Sequence, residues 1–335
     1  MKIAFRILLL VTGVLAGLYF FGPKPDLPST LGDALPAINT PLAALDSSIQ
    51  AKESKVIGMK PGNEAKIVWF DSTKKEKTPI AVVYIHGFSA SEMEGDPVHR
   101  DFAKRYGANL YLARLEGHGV DVPQNFKTLT ADQLLASARE AVAIGKKLGD
   151  KVVVIATSMG AALTLQVASE NPDIAGLVLY SPCIRIFDGT ARLLNDPWGL
   201  QIAKAVIGSE EMTIPVQEPI TKQFWTKKYH LNGPIAIENF MEAALTPETF
   251  AKVKQPLFLG YYYKDEAHQD KVVSVKAILD MYEQLGTPEA SKRKVAFPEA
   301  GDHVIASSIK SKSVAAVEAE TYRFVEEKLG LVPIR

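Results

Sequence analysis

The chain has 335 residues, with 38 basic and 38 acidic side chains that sum to a formal net charge of +0. That balance excludes the basic excess expected of a nucleic-acid binder, and 47% hydrophobic with 23% charged residues excludes disorder over most of the length. Cys183 is the one cysteine, so neither an intramolecular disulfide nor a thiolate metal cluster is available. The length allows one large domain with an insertion, or two smaller ones.

Residues 7–22 (ILLLVTGVLAGLYFFG) carry no charge and follow Lys2 and Arg6. The pattern reads as a signal sequence or signal anchor. It is somewhat short for a span of about 20 residues, but residues 3–5 and a snorkelling Arg6 lengthen it. Tyr19, Phe20 and Phe21 suit a membrane interface. The run ends in these aromatics and GPKPDLP rather than in a small-x-small site, which favours retention over cleavage. The basic residues before it favour an exported body. The expectation is an anchor over residues 1–22, contact with a membrane through it, and a body on the periplasmic or extracellular side. Pro23, Pro25, Pro28, Pro36 and Pro41 make residues 23–50 a stiff stem with a short helix.

From there on strands and helices alternate. Runs rich in β-branched and aromatic residues occur at 65–70, 80–85, 109–115, 151–156, 176–180, 256–263 and 294–297. The first two are separated by DSTKKEKTP, a charged turn that predicts a hairpin. Helical stretches lie between later runs, as at 130–148 and 161–170. Near-continuous apolar strands alternating with helices predict an α/β fold, a mostly parallel sheet with helices on both faces. Between residues 184 and 250 no strand run appears, so this interval reads as a helical insertion dividing a core of residues 51–183 and 251–335.

The chemistry starts at Ser158. Residues 151–170 read KVVVIATSMG then AALTLQVASE, an apolar strand, a tight turn and a helix, which is the context of a nucleophile elbow. The positions two residues to either side must be small; Gly160 fits, and Ala156 stands where glycine is more usual. No other serine in the chain has glycine two residues later. The alternative for Ser158 is a helix-capping role. A nucleophilic serine needs donors for the oxyanion it creates, drawn from a loop after an earlier strand. His86 and Gly87 end the 80–85 run, making the Phe88 and Met159 amides the candidate donors, with His86 holding the loop.

The chain order serine, acid, histidine points to His303, which follows the last apolar run and precedes the closing helix near 314–329. His86, His99 and His118 precede the serine, His230 lies in the insertion and His268 falls too early. The loop after the 256–263 run offers Asp265, Glu266 and Asp270. Asp270, opening DKVV before the next helix, is favoured as the acid; Asp265, closer to the strand end, is its alternative. His268 among carboxylates could hold a metal, but a solvated loop is the simpler reading. The proposed chemistry needs no metal or organic cofactor.

HGF at 86–88, RLEGHG at 114–119, ATSMG at 156–160, DKVV at 270–273 and GDH at 301–303 together resemble the α/β-hydrolase superfamily. Within it they are most similar to the monoacylglycerol lipase and lysophospholipase-like serine hydrolases, a group that overlaps the serine aminopeptidases. The resemblance covers about residues 65–329, with the insertion unmatched. It implies the α/β-hydrolase fold and a helical cap insertion over Ser158. Ala156 and a longer acid loop depart from the family pattern, and Glu116 and His118 match a structural turn.

The expected activity is hydrolysis of small or lipid-derived carboxylic esters through an acyl-enzyme on Ser158, with His303 as base and Asp270 orienting it. An amidase, peptidase or acyltransferase with the same triad is the second reading. A non-catalytic, membrane-tethered binding protein on this scaffold is the third. Phe187, Trp198, Phe224, Trp225, Tyr229, Phe240 and Met241 of the insertion either bind an acyl chain or form the cap's own core.

Overall fold

The computed structural model describes residues 2–32, 34–216 and 218–334; Met1 and Arg335, the ends of the expected anchor and core, lie outside them. The strands are β1 (Lys66–Val68), β2 (Thr78–Ile85), β3 (Asn109–Leu112), β4 (Gly149–Thr157), β5 (Gly176–Tyr180), β6 (Glu211–Thr213), β7 (Lys228–His230), β8 (Leu257–Tyr261) and β9 (Lys292–Ala296). The helices are α1 (Lys2–Phe20), α2 (Leu42–Glu53), α3 (Val98–Arg105), α4 (Ala131–Leu148), α5 (Ser158–Glu170), α6 (Gly199–Ile207), α7 (Pro219–Phe224), α8 (Asn232–Ala244), α9 (Pro247–Lys252), α10 (Val275–Gln284) and α11 (Val314–Leu329).

Seven strands form one sheet in the order β1-β3-β2-β4-β5-β8-β9. All neighbours are parallel except β1 and β3. Alternate residues of the central strands enter two separate cores. Val83, Ile85, Val154, Ala156, Leu177 and Leu179 pack with α4, α5, α8 and α10, while Val82, Tyr84, Val153, Ile155, Val178 and Tyr180 pack with α3 and α11. Both faces are thus covered, which is why these strands read as unbroken apolar runs rather than as alternating ones. Each fully buried aliphatic or aromatic side chain contributes about 1.5–3 kcal/mol relative to an exposed one.

The charged turn after β1 does not close a hairpin. β1 pairs antiparallel with β3, Lys66 opposite Leu112, and both edges of β2 are taken in parallel by β3 and β4. A three-residue strand is accommodated at the sheet edge beyond β3, whereas pairing with β2 would displace β3, which is one residue longer and fully buried. The interval between β5 and β8 departs from the expectation of helices alone. β6 and β7 form an antiparallel ribbon there, Met212 opposite Tyr229, and strands of three residues are too short to leave a periodic signal.

No helix among the described residues is long and apolar enough to cross a membrane. This overturns the expected anchor at residues 1–22, and with it the membrane contact and the exported placement argued from it. The reason lies in α1, which begins at Lys2 and takes in Arg6. Its uncharged stretch, residues 7–20, rises about 21 Å at 1.5 Å per residue, against a hydrocarbon core of about 30 Å.

The segment after α1 is strapped to the body. Ser29 and Thr30 each donate an amide and a hydroxyl hydrogen bond to the Asp132 carboxylate, in the first turn of α4. Arg139 and Gln166 donate to the Leu31 carbonyl. Leu45 and Ile49 of α2 join the core, and Glu53 at its end forms a buried ion pair with Arg114, Oε2 to Nε 2.6 Å.

The strand order reverses at β2 and β4: the chain leaves β2 toward β3 on one side and returns to β4 on the other. Ile85 and Ala156 are directly paired at the carboxyl ends of these strands, so residues 86–88 and 157–159 emerge side by side. In open α/β sheets such a switch point is where a crevice forms and ligands bind.

Candidate active site

Ser158 occupies the junction of β4 and α5 with φ +55°. A non-glycine residue in this left-handed region is strained by roughly 1–2 kcal/mol, and such strain gathers at functional turns. The turn is tight because α5 departs directly over β2. A Cβ at Gly160 would collide with the Ile85 and His86 carbonyls, so glycine is obligatory there. Ala156 is fully buried in the core shared with α4 and α5, and its methyl fits where the usual glycine has none.

The loop after β2 approaches the same point. The His86 ring accepts from the Leu115 amide through Nε2 at 3.1 Å and donates through Nδ1 to the Gly87 carbonyl at 2.8 Å. Burial pushes its pKa down to about 4, so the ring is a neutral brace rather than a proton carrier. A Cβ at Gly87 would lie 2.8 Å from Ser158 Cβ, which glycine alone permits. Among the described residues the Phe88 amide donates to no carbonyl. The Met159 amide lies in the first turn of α5, where helical N–H groups lack intrahelical partners and the helix dipole favours negative charge.

Asp270 and His303 meet. Oδ2 of Asp270 is 2.5 Å from Nδ1 of His303, and Oδ1 accepts the Val272 and Val273 amides at 2.8 and 3.0 Å. Asp270 is buried with both carboxylate oxygens satisfied. Burial lowers the His303 pKa, but the Asp270 carboxylate, with smaller help from Glu94 and Asp302, outweighs it and holds the imidazole above its usual value. His303 Nε2 is buried with no hydrogen-bond partner among the described residues. Asp265 is elsewhere: it is exposed, and its Oδ1 is 2.8 Å from Nδ1 of His268.

The turn after β5 ties the two halves together. Ser181, with φ +42°, donates its hydroxyl to the His303 carbonyl at 2.8 Å, and the Cys183 amide donates to the Ser158 carbonyl at 3.0 Å. Sequence reasoning passed over Ser181 because no motif marks it. It also passed over Glu94, a carboxyl buried beside Gly87.

Phe88 packs at 5.0 Å from Phe126 and 5.1 Å from Tyr229 between ring centroids, and His118 closes the group at 4.7 Å from Phe126. Buried and held well below its usual pKa, His118 is a neutral wall residue of the RLEGHG turn. Among the described residues one group of potential metal ligands, Glu92, Asp96 and His99, stands on and just after the 3₁₀ turn at 92–95. Arg100 already bridges the first two at 2.8 and 3.0 Å, and Lys66 reaches Glu92 at 3.3 Å. Their charge is therefore met by guanidinium and ammonium groups.

A strained serine at a strand-to-helix turn beside the switch point of the sheet, with a paired histidine and carboxylate on later loops, fits a doubly wound α/β protein of the hydrolase type. The Alpha/beta hydrolase family model matches residues 82–308, and the chain belongs to that family. A thermostable monoacylglycerol lipase from Bacillus sp. (strain H-257) is 32% identical over 111 residues, which span 33% of this chain and 44% of that relative. The chain thus matches under half the length of that relative.

Solved structures repeat the fold at low identity. A structure described under two metagenome-derived lipolytic enzymes, LipS and LipT, superposes with a TM-score of 0.64 at 19% identity, covering 80% of this chain and 99% of that one. The monoglyceride lipase of Saccharomyces cerevisiae, a soluble variant, gives a TM-score of 0.58 at 13% identity, covering 79% and 91%.

Proposed function

We propose that this protein is a serine hydrolase that cleaves carboxylic esters, small or lipid-derived, through a Ser158–His303–Asp270 triad and an acyl-enzyme. The observation that carries the reading is the 2.5 Å contact between Asp270 and His303 Nδ1, which leaves the buried Nε2 as the free end of the ring. The lipolytic names of the relatives support an ester rather than an amide substrate.

In this reading Ser158 Oγ attacks the ester carbonyl as its proton passes to His303 Nε2. The new C–O bond makes a tetrahedral oxyanion, which the Phe88 and Met159 amides stabilise. His303 returns the proton to the departing alkoxide, and water, deprotonated by the same nitrogen, releases the acid. Asp270 keeps the proton on Nδ1 and stabilises the imidazolium without taking its proton. Residues 184–250 act as a cap, and the Phe88, Phe126 and Tyr229 rings supply an apolar wall for the acyl group.

Fluorophosphonate labelling of the full chain, with turnover of p-nitrophenyl esters of graded chain length, tests this. Wild-type protein is expected to label and turn over, and Ser158→Ala to do neither. A folded wild type that neither labels nor hydrolyses any ester removes the reading, and labelling that persists in Ser158→Ala moves the nucleophile elsewhere.

A further inference from the structure

Glu94 sits on the 3₁₀ turn Glu92–Gly95, just beyond the loop that carries Phe88, and is only 2% exposed. Its Oε2 accepts the Gly87 amide at 2.5 Å, and the Tyr84 hydroxyl, itself 3.1 Å from Thr157 Oγ1, lies 3.5 Å from the same oxygen. A Cβ at Gly87 would lie 2.8 Å from both Glu94 Oε1 and Ser158 Cβ, so the carboxyl, the loop backbone and the serine converge on one point.

No basic side chain among the described residues is paired with Glu94. The titratable groups facing it are Tyr84 from β2 and, from the loop after β9, His303 and Asp302. Glu92 on the same turn is turned to His99, Arg100 and Lys66 instead. Burial raises the Glu94 pKa to about 7, against the opposing pull of the Gly87 amide and His303. Burying a carboxyl without a cation is expensive, and here it stands next to the reacting groups.

We propose that Glu94 is a positioning residue of the active site. By gripping the Gly87 amide it sets the turn that aims the Phe88 amide at the oxyanion. This rests on the serine-hydrolase reading above. It does not require Glu94 to touch substrate.

Steady-state ester hydrolysis tests this, with folding checked by thermal melting. Glu94→Ala, which releases the loop, is expected to lower kcat by roughly tenfold to a hundredfold, short of the full loss of an oxyanion donor, with KM changed by less than about threefold. Glu94→Gln keeps an acceptor for Gly87 and is expected to recover most of that loss.

Glu94→Asp keeps the charge but falls short of Gly87. It should lose kcat, and it stands in for Glu94→Ala if that variant does not melt cooperatively. Wild-type rates in Glu94→Ala overturn the inference alone, as does a kcat loss in Glu94→Gln equal to that in Glu94→Ala. An inactive wild type overturns the hydrolase reading and this inference with it.

Discussion

Asp270 Oδ2 and His303 Nδ1 stand 2.5 Å apart, while Asp265, earlier in the same loop, gives its Oδ1 to Nδ1 of His268 at 2.8 Å. The two aspartates are alike in sequence and opposite in setting: one is buried with both oxygens satisfied, the other exposed. Asp270→Asn should lower kcat by about 10⁴, the cost of presenting the wrong histidine tautomer. Asp265→Asn should leave the rate within about twofold, because exposed pairs contribute little. Turnover of a single p-nitrophenyl ester by the two variants checks the ranking, and the reverse order would transfer the role.

The His303 environment fixes the direction of the pH profile. Its pKa is raised above 6.5 in the fold, and in the proposed mechanism only the neutral ring accepts the Ser158 proton, so the acid limb of kcat/KM should lie above 6.5. The stability from the raised pKa is fully present below the unfolded value of about 6.5 and is lost as pH rises through the folded value. Asp270→Asn should bring the acid limb down. A limb unaltered by that substitution would contradict the pairing.

Strain at Ser158 predicts a trade between stability and activity. Ser158→Gly relieves the φ of +55° and should be more stable than Ser158→Ala by about 1 kcal/mol, both being inactive. Urea midpoints of the two variants measure this directly, and equal midpoints would mean that the turn carries no backbone strain.

Gly160→Ala should fail differently. The added methyl meets the backbone carbonyls of Ile85 and His86 rather than a flexible side chain, so relief requires shifting α5 or β2. We expect destabilisation of about 2–4 kcal/mol together with loss of fluorophosphonate labelling. A variant as stable and reactive as wild type would show that the strand and helix can part freely.

Arg114→Met tests the buried pair with Glu53, whose side chains are 8% and 6% exposed. Glu53 Oε2 also accepts the Ala65 amide, so loss of the guanidinium leaves a buried carboxylate that still organises the backbone before β1. The expected cost is about 3–5 kcal/mol. Chemical denaturation at neutral pH reads it, and a cost below about 1 kcal/mol would mean that Glu53 reaches water once freed.

What local pattern reveals is visible at β4 and α5. Nine residues of strand, a small-flanked serine and an apolar helix are contiguous, so sequence alone exposes this strand-turn-helix. The partner of β1 was misjudged because a charged turn marks a change of direction but not which strand lies alongside. At the N-terminus, lengthening the span through residues 3–5 and a snorkelling Arg6 does not hold, because α1 takes Arg6 into the helix and leaves only residues 7–20 without charge.

The amino-acid sequence by itself determined the alternating α/β plan and the strand-turn-helix at Ser158, and it narrowed the candidate partners to His303 and a short set of acidic residues, because each is written in residues a few positions apart. Which aspartate meets His303, that Ser181 bridges both halves, and that Glu94 lies buried against Gly87 were decided only by the tertiary structure. Those contacts join segments held in place by parallel strand order and two cores, and long-range packing of that kind leaves no local periodicity to read.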